Sequence, residues 1–329
     1  MLPFEYARVT GVDEAVNLLA ADPSASYLAG GTTQLDLMKD GVLGPERLVD
    51  ITRLPLRGVT RDADGLHIGA LTTMEELAAD PVVAGELPVV REALLLGASA
   101  QLRNMATIGG NLLQRARCRY FRDPTVPDCN KREPGSGCAA VRNTARMHAI
   151  LGVSERCIAL HASDLAVALV ALDAVVRLHG TSGSRSVPLT QFYREAGTSP
   201  DVENVLLHGE LITGVTIPPL PAEAATGYLK VRDRASYEFA LASAAVVLVM
   251  RDDVIAQARV GLGGIGSKPW RSLEAEQVLT GAAASGEIFR EAAAAAVQGA
   301  WTVPGTAFKV ELAQRTLVRA LRNVSGGAR

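Results

Sequence analysis

The four cysteines of the 329-residue chain stand at 118, 129, 138 and 157, and the rest of the sequence has none. Structural thiols scatter along a chain, whereas ligands to one cofactor have to converge on a point and are commonly supplied by a single excursion. The spacing is C-x10-C-x8-C-x18-C. It lacks the short C-x-x-C-like knuckles by which zinc sites pair their ligands, which disfavours zinc without excluding it. Disulfides need an oxidising compartment, and a chain of this length has core enough to do without such staples. A 4Fe-4S cluster takes four thiolates and sets no short spacing when a loop wraps it. Arg115, Arg117, Arg119, Arg122, Lys131 and Arg132 flank the cysteines. Cations lower a thiolate's pKa and offset the negative charge of a thiolate-bound cluster, although some of them read equally well as a solvated loop. By residue type alone, an iron-sulfur cluster, zinc, a disulfide and inert thiols all stay open.

A second chemistry is written in glycines. Ala29, Gly30, Gly31, Thr32 and Thr33 stand at a strand-to-helix junction, and Thr107, Ile108, Gly109, Gly110 and Asn111 repeat the pattern later in the chain. A pyrophosphate needs backbone N–H groups aimed at it with no Cβ in the way, which glycines and small hydroxyl residues provide. A single Gly-Gly-Thr is usually an ordinary turn; two in one chain are the stronger signal. Gly261 to Gly266 spell G-x-G-x-x-G, but Ser267, Lys268 and Pro269 follow at once. No first βαβ unit surrounds them, so a tight bend is expected there rather than a nicotinamide site. No His-Asp-Ser set, H-E-x-x-H motif or paired catalytic carboxylates accompany these features.

The elements that must position these residues follow from periodicity. Residues 13–20 read as an amphipathic helix, 26–29 as a strand, and 33–40 as a helix stopping at Gly41. Short apolar runs over 48–71 read as strands, Thr73 opens a helix, and 93–98 continue helical character toward the second glycine pair. Residues 114–157, with many charges and no sustained period, read as an inserted loop. Residues 163–172 form a helix from a Ser-Asp cap, and 174–178 with 186–189 a hairpin. The proline-rich segment 217–226 is the best domain boundary. Beyond it come strands at 227–232 and 256–262, a buried run at 240–250, and two or three Ala- and Leu-rich helices.

Composition narrows the classes. With 48% hydrophobic residues the chain can bury one large core or two to three modest ones. Its formal charge of -2 argues against wrapping nucleic acid. The N-terminus lacks a secretory signal pattern and no stretch is apolar enough to insert in a membrane, which points to the cytoplasm. Co-export with a signal-bearing partner is the other route to consider.

Four stretches in order, LAGGTTQLDLM, TIGGNLLQ, HASDLAVALVALDA and GLGGIGSKPWRSLEAEQVLTG, resemble the FAD-binding subunits of the xanthine dehydrogenase, carbon monoxide dehydrogenase and aldehyde oxidoreductase group, almost end to end. The resemblance implies an α+β fold: a two-part FAD-binding region of the vanillyl-alcohol-oxidase (PCMH) type over 1–220, then an α+β flavoprotein C-terminal domain over 221–329. Asn111 and Asp164 lie fifty-three residues apart, far more than in most members, because the cysteine loop 114–157 intervenes. That insertion resembles the FAD subunits of periplasmic-type aldehyde oxidoreductases, and more distantly of 4-hydroxybenzoyl-CoA reductase. It implies a 4Fe-4S cluster on Cys118, Cys129, Cys138 and Cys157.

By the same resemblance Leu28, Ala29, Gly30, Gly31, Thr32, Thr33 and Gln34 wrap the FAD pyrophosphate, and Thr107, Gly110 and Asn111 complete the cradle. Asp164 matches a carboxylate that bonds the FAD, and Ile212 and Lys230 match weaker positions near it. Against these stand a plain strand-core role for Ile212 and a solvated strand end for Lys230. His161 could face the cofactor but is given no chemistry. The implied assembly has a molybdopterin subunit that oxidises the organic substrate, a subunit with two 2Fe-2S clusters, and this chain passing electrons to an external acceptor. The runner-up is a self-contained flavin oxidase or reductase of the same fold.

Overall fold

The computed structural model describes residues 1–326. Three sheets organise it. Strands β1 (Glu5–Arg8), β2 (Ala25–Leu28) and β3 (Arg47–Asp50) form a small parallel sheet in the order β1-β3-β2. Parallel neighbours need a crossover, here supplied by the helix Val12–Ala20 and the helix Gln34–Lys39. Strands β4 (Val59–Asp62), β5 (Gly65–Gly69), β6 (Val175–Gly180), β7 (Gly183–Pro188) and β8 (Leu211–Ile217) form a five-stranded sheet, β4-β5-β8-β6-β7, antiparallel throughout. The expected hairpin is β6-β7, paired from Val175↔Pro188 to Gly180↔Gly183.

After Ile217 the chain crosses the proline-rich segment and enters a four-stranded antiparallel sheet: β9 (Ala224–Val231), β10 (Ala242–Arg251), β11 (Val254–Gly263) and β12 (Trp270–Arg271), in the order β12-β11-β10-β9. The apolar run at 240–250 shows no alternation because β10 is buried on both faces. Its Ala244, Val246 and Leu248 face a core shared with the helices Leu273–Leu279, Gly286–Ala295 and Phe308–Val324. Its Ala245 and Val247 join the core of the N-terminal half. That second face is covered by the helix Asp164–Ala171, all eight of whose residues are buried. A helix apolar all round belongs inside. The G-x-G-x-x-G spelling lies at the end of β11, whose neighbours are antiparallel, so it is a bend and not the first turn of a dinucleotide fold.

One boundary differs from the sequence expectation. The helix Pro88–Leu96 stops before Gly97, and Ala98 adopts φ +53°. Its last carbonyls are taken by cations from elsewhere: Arg103 donates to Gly97 O at 3.1 Å, and Lys230 and Arg232 each donate to Leu96 O at 3.0 Å. The helix after the first glycine pair, Gln34–Lys39, has only six residues, so any phosphate cradle there is the loop itself and not a helix dipole. No helix among the described residues is long and apolar enough to cross a membrane.

Candidate flavin cavity and cysteine pocket

The two glycine motifs meet because their backbones touch. A Cβ on Gly30 would overlap the carbonyl of Met105, just before the second motif, and Gly31 sits at φ +72°. Gly30 is required by the approach and Gly31 is favoured by the conformation. A cavity of about 170 Å³ opens against the pair, lined by Ala29 to Gln34, Thr107, Gly110 and Ile212 with the apolar Ile51, Leu71 and Leu211. A second cavity of about 320 Å³ adjoins it, lined by Asn111, Asp164 and Lys230 with Arg117, Tyr237 and Phe239. Thr32, Thr33 and Gly110 border both. Twelve of the thirteen residues singled out for the cofactor therefore line one continuous path. Leu28, the last residue of β2, lines neither cavity.

Several of these residues also hold the scaffold. Thr107 Oγ1 accepts from Gly110 N at 3.2 Å as the N-cap of the helix Ile108–Leu112. Asn111 Oδ1 accepts from Ser163 Oγ at 2.5 Å, and Ser163 caps Asp164–Ala171. Ile212 is a buried core residue of β8 as well as a wall of the first cavity. Asp164 accepts from Lys230 Nζ at 2.7 Å and from Tyr228 Oη at 2.6 Å. Lys230 is thus no solvated strand end; its side chain is 1% exposed. Burial pushes the Asp164 carboxyl above its usual range, against the pull of Lys230 and Tyr228. Two side-chain nitrogens on this path are buried without a hydrogen-bond partner, Gln34 Nε2 and Arg117 Nε. Buried donors of that kind call for an acceptor.

The inserted loop holds two short helical turns, Arg119–Arg122 and Ala139–Arg142, and an isolated bridge between Cys129 and Cys138. All four cysteines are free thiols and line one pocket, which is small, about 10 Å³, and shared with Lys131 and Arg156. Among the described residues no three His, Cys, Asp or Glu side chains converge closely enough for a single metal ion. The loop is knitted from within. Arg132 donates to the carbonyls of Tyr120, Phe121 and Val126, and Asn130 Oδ1 accepts from Gly135 N and Gly137 N at 2.9 and 3.0 Å.

Most flanking cations grip the fold, and of those paired with carboxylates Lys131 also borders the cysteine pocket. Arg115 and Lys131 pair with Glu203 at 2.9 and 2.7 Å. Arg117 and Arg122 pair with Asp36 at 3.1 and 2.6 Å, and Arg122 with Asp40 at 3.1 Å. Burial pushes the Cys118 thiol up to about 11. Cys138, hydrogen-bonded to Cys157, is held down at about 6 while Cys157 is driven up. Backbone N–H groups of Ile158, Val141 and Ala140 also favour the Cys138 thiolate.

Sequence reasoning missed three neighbours. Tyr228 lies two residues before Lys230, so strand alternation places both on one face; that signal was available. His148 Nε2 stands 3.2 Å from Cys118 Sγ, and burial lowers its pKa to about 4, keeping the ring neutral near pH 7. Nothing in its neighbourhood of sequence marks it. Asp36 was read only as a helix residue. His161 lines a small pocket beside Lys131 and Glu203 and packs edge-on against Tyr193; it lines neither of the two larger cavities.

A family model described as the FAD binding domain in molybdopterin dehydrogenase matches residues 2–220, and one described as the CO dehydrogenase flavoprotein C-terminal domain matches residues 227–324. The aldehyde oxidoreductase FAD-binding subunit PaoB of Escherichia coli K12 is 46% identical over 324 residues, 98% of each chain. The carbon monoxide dehydrogenase medium chain of Afipia carboxidovorans is 29% identical over 287 residues, 86% of this chain and 82% of its own. Among solved structures, carbon monoxide dehydrogenase from Hydrogenophaga pseudoflava matches with a TM-score of 0.78 at 27% identity, covering 100% of both chains. These relatives are oxidoreductase subunits, and both halves of the chain are matched in order: it belongs to the molybdenum hydroxylase family, as an FAD-binding subunit.

Proposed function

We propose that this chain carries FAD and a 4Fe-4S cluster and relays electrons within a molybdenum-dependent aldehyde oxidoreductase. A molybdopterin subunit and a 2Fe-2S subunit would be its partners, and an external acceptor would take the electrons. When bound, FAD supplies a store that fills one electron at a time from iron-sulfur centres and empties singly or in pairs. The chain's own residues bind, orient and shield it.

In this reading Ala29 to Gln34, Thr107 and Gly110 hold the pyrophosphate where the two cavities join, and Leu28 supports them as the last residue of β2. The first cavity, walled by Ile51, Leu71, Leu211 and Ile212, suits the adenine. The second, with the buried Asp164–Lys230 pair, Asn111 and the aromatic rings of Tyr237 and Phe239, suits the isoalloxazine. The unpartnered Gln34 Nε2 and Arg117 Nε fit such an occupant, since its phosphate and ring oxygens are acceptors. Cys118, Cys129, Cys138 and Cys157 fit a cluster by donor chemistry: free thiols around one pocket, with backbone N–H groups directed at the sulfurs of Cys118, Cys138 and Cys157.

The observation that carries the relay is the packing of that pocket against the cradle. Leu37, on the helix that follows Gly30 and Gly31, lines the first cavity and lies in one core with Phe121, Cys129 and Cys157. Iron, sulfide and flavin analysis of the chain purified with its partners tests the reading. Iron in excess of the 2Fe-2S subunit's share, lost on Cys129→Ala, is expected. Unchanged iron in that variant contradicts the cluster.

A further inference from the structure

Arg117 belongs by sequence to the cysteine loop, one residue before Cys118, yet its side chain lines the second cavity with Asn111, Asp164, Lys230, Tyr237 and Phe239. It does not line the first. Its guanidinium lies 5.2 Å from the centroid of the Phe239 ring, and its Nη1 donates to Asp36 at 3.1 Å. Its Nε is buried and has no hydrogen-bond partner among the described residues. A guanidinium offers five donors in a rigid fork; here one edge is anchored to Asp36 and a nitrogen beside the cavity is left over.

The local charge is asymmetric. Asp36 and Asp40 are the carboxylates that face Arg117 and Arg122, with side chains 45% and 36% exposed against 29% and 15% for the two arginines. Water screens the anions more than the cations. On the far wall Asp164 is neutralised by Lys230. Asp36 and the Arg234–Glu238 pair line the same cavity, and Arg117 Nε is the loop-side donor left over there.

We infer that Arg117 is a flavin-contacting residue supplied by the inserted loop, placed to stabilise the negative charge that the isoalloxazine gains on reduction. This rests on the proposed seating of the ring in the second cavity. Charge-assisted hydrogen bonds are the strong ones, and they are stronger still away from water. The same backbone step that puts Arg117 against the ring puts Cys118 in the cysteine pocket, so the loop is a wall of the flavin site as well as a holder of thiols. The neighbours of Arg117 favour the ring over the pyrophosphate. Phe239, Tyr237, Met74 and Leu165 line the second cavity only, whereas the cradle residues Thr32, Thr33 and Gly110 border both.

The test is anaerobic spectroelectrochemical titration of the flavin in the assembled protein, for wild type, Arg117→Met, Arg117→Lys and Lys230→Met, with FAD per chain measured alongside. Arg117→Met is expected to lower the equilibrium constant for flavin reduction about tenfold, or ~30 mV for a two-electron couple. Arg117→Lys should recover part of that shift. An unshifted potential in Arg117→Met, with FAD fully retained, overturns the inference and leaves Arg117 as an ion-pair partner of Asp36. Loss of FAD from Arg117→Met, with the residual flavin unshifted, also overturns it, because that is the signature of a phosphate anchor. If Lys230→Met leaves the potential unchanged as well, the seating of the ring fails. A shift in Lys230→Met alone leaves the seating intact and removes only the role of Arg117.

Discussion

The Asp164–Lys230 pair joins the two halves of the chain on the wall of the second cavity, and Asp164→Asn tests its energetics. Lys230 Nζ has two partners, Asp164 Oδ2 at 2.7 Å and Leu96 O at 3.0 Å. With its side chain 1% exposed, the ammonium has no water to turn to once the carboxylate is gone. Removing one member of a buried pair typically costs about 3–5 kcal/mol. The lower end applies, because the asparagine oxygen still accepts from Tyr228. A loss of about 3 kcal/mol is roughly a hundredfold in the folded-to-unfolded ratio. The pair as a whole contributes much less, since burial already raises the Asp164 carboxyl against the pull of Lys230. The double variant Asp164→Asn/Lys230→Met should therefore return to within about 1 kcal/mol of wild type. The assay is urea unfolding of FAD-free protein, because bound FAD would stabilise each variant by its own affinity. A single variant as stable as wild type, or a double variant no better than Asp164→Asn, refutes the reasoning.

Lys309, fully buried on the helix Phe308–Val324, donates to Gly264 O at 2.6 Å, and burial pushes its pKa from 10.5 down to about 7. Between those values the unfolded chain holds the extra proton, so stability rises with pH across that window, by up to about 1.4 kcal/mol per pH unit. Lys309→Met should be more stable near neutrality and should lose this slope, read from urea midpoints at about pH 7 and about pH 9. Asp50 gives a slope of the same sign at acid pH: burial raises its pKa, but hydrogen bonds from Tyr6, Thr52 and Arg8 hold it well below the usual carboxylate range. Its contribution is present above about pH 4 and is lost as acid approaches the folded-state value. Asp50→Asn should accordingly flatten the acid limb of the stability profile. Gly30→Ala forces a Cβ into the Met105 carbonyl; the two motifs should separate and FAD retention fall at least tenfold by equilibrium dialysis. His148→Leu removes the hydrogen-bonding neighbour of Cys118 Sγ, and an EPR-monitored titration should show the iron-sulfur midpoint falling while iron content is kept.

The parts of the site written in local pattern were legible. Both glycine motifs, the Ser163 cap and the clustered cysteines depend on residue types at short range, and each lies where its pattern placed it relative to strand and helix. The buried run at 240–250 was legible as buried, but not which residues face which core, because β10 is covered on both sides and carries no alternation. What was hidden depends on long-range geometry. The end of the helix Pro88–Leu96 is set by cations from the nearby Arg103 and from Lys230 and Arg232, which are distant in sequence. The loop's arginines announced themselves by composition, yet composition could not say that they would grip Asp36, Asp40 and Glu203 rather than the thiols. His148 is placed by the fold of the loop alone.

The central claim, that one chain carries flavin and an iron-sulfur cluster side by side, is tested most directly by Mössbauer and flavin analysis of the iron-57-labelled full chain, produced without its partners and purified anaerobically. The account predicts one FAD and about four irons per chain with the signature of a 4Fe-4S cluster, the iron abolished by Cys129→Ala. A yellow chain with full flavin content and no cluster iron, or with zinc in its place, would contradict it.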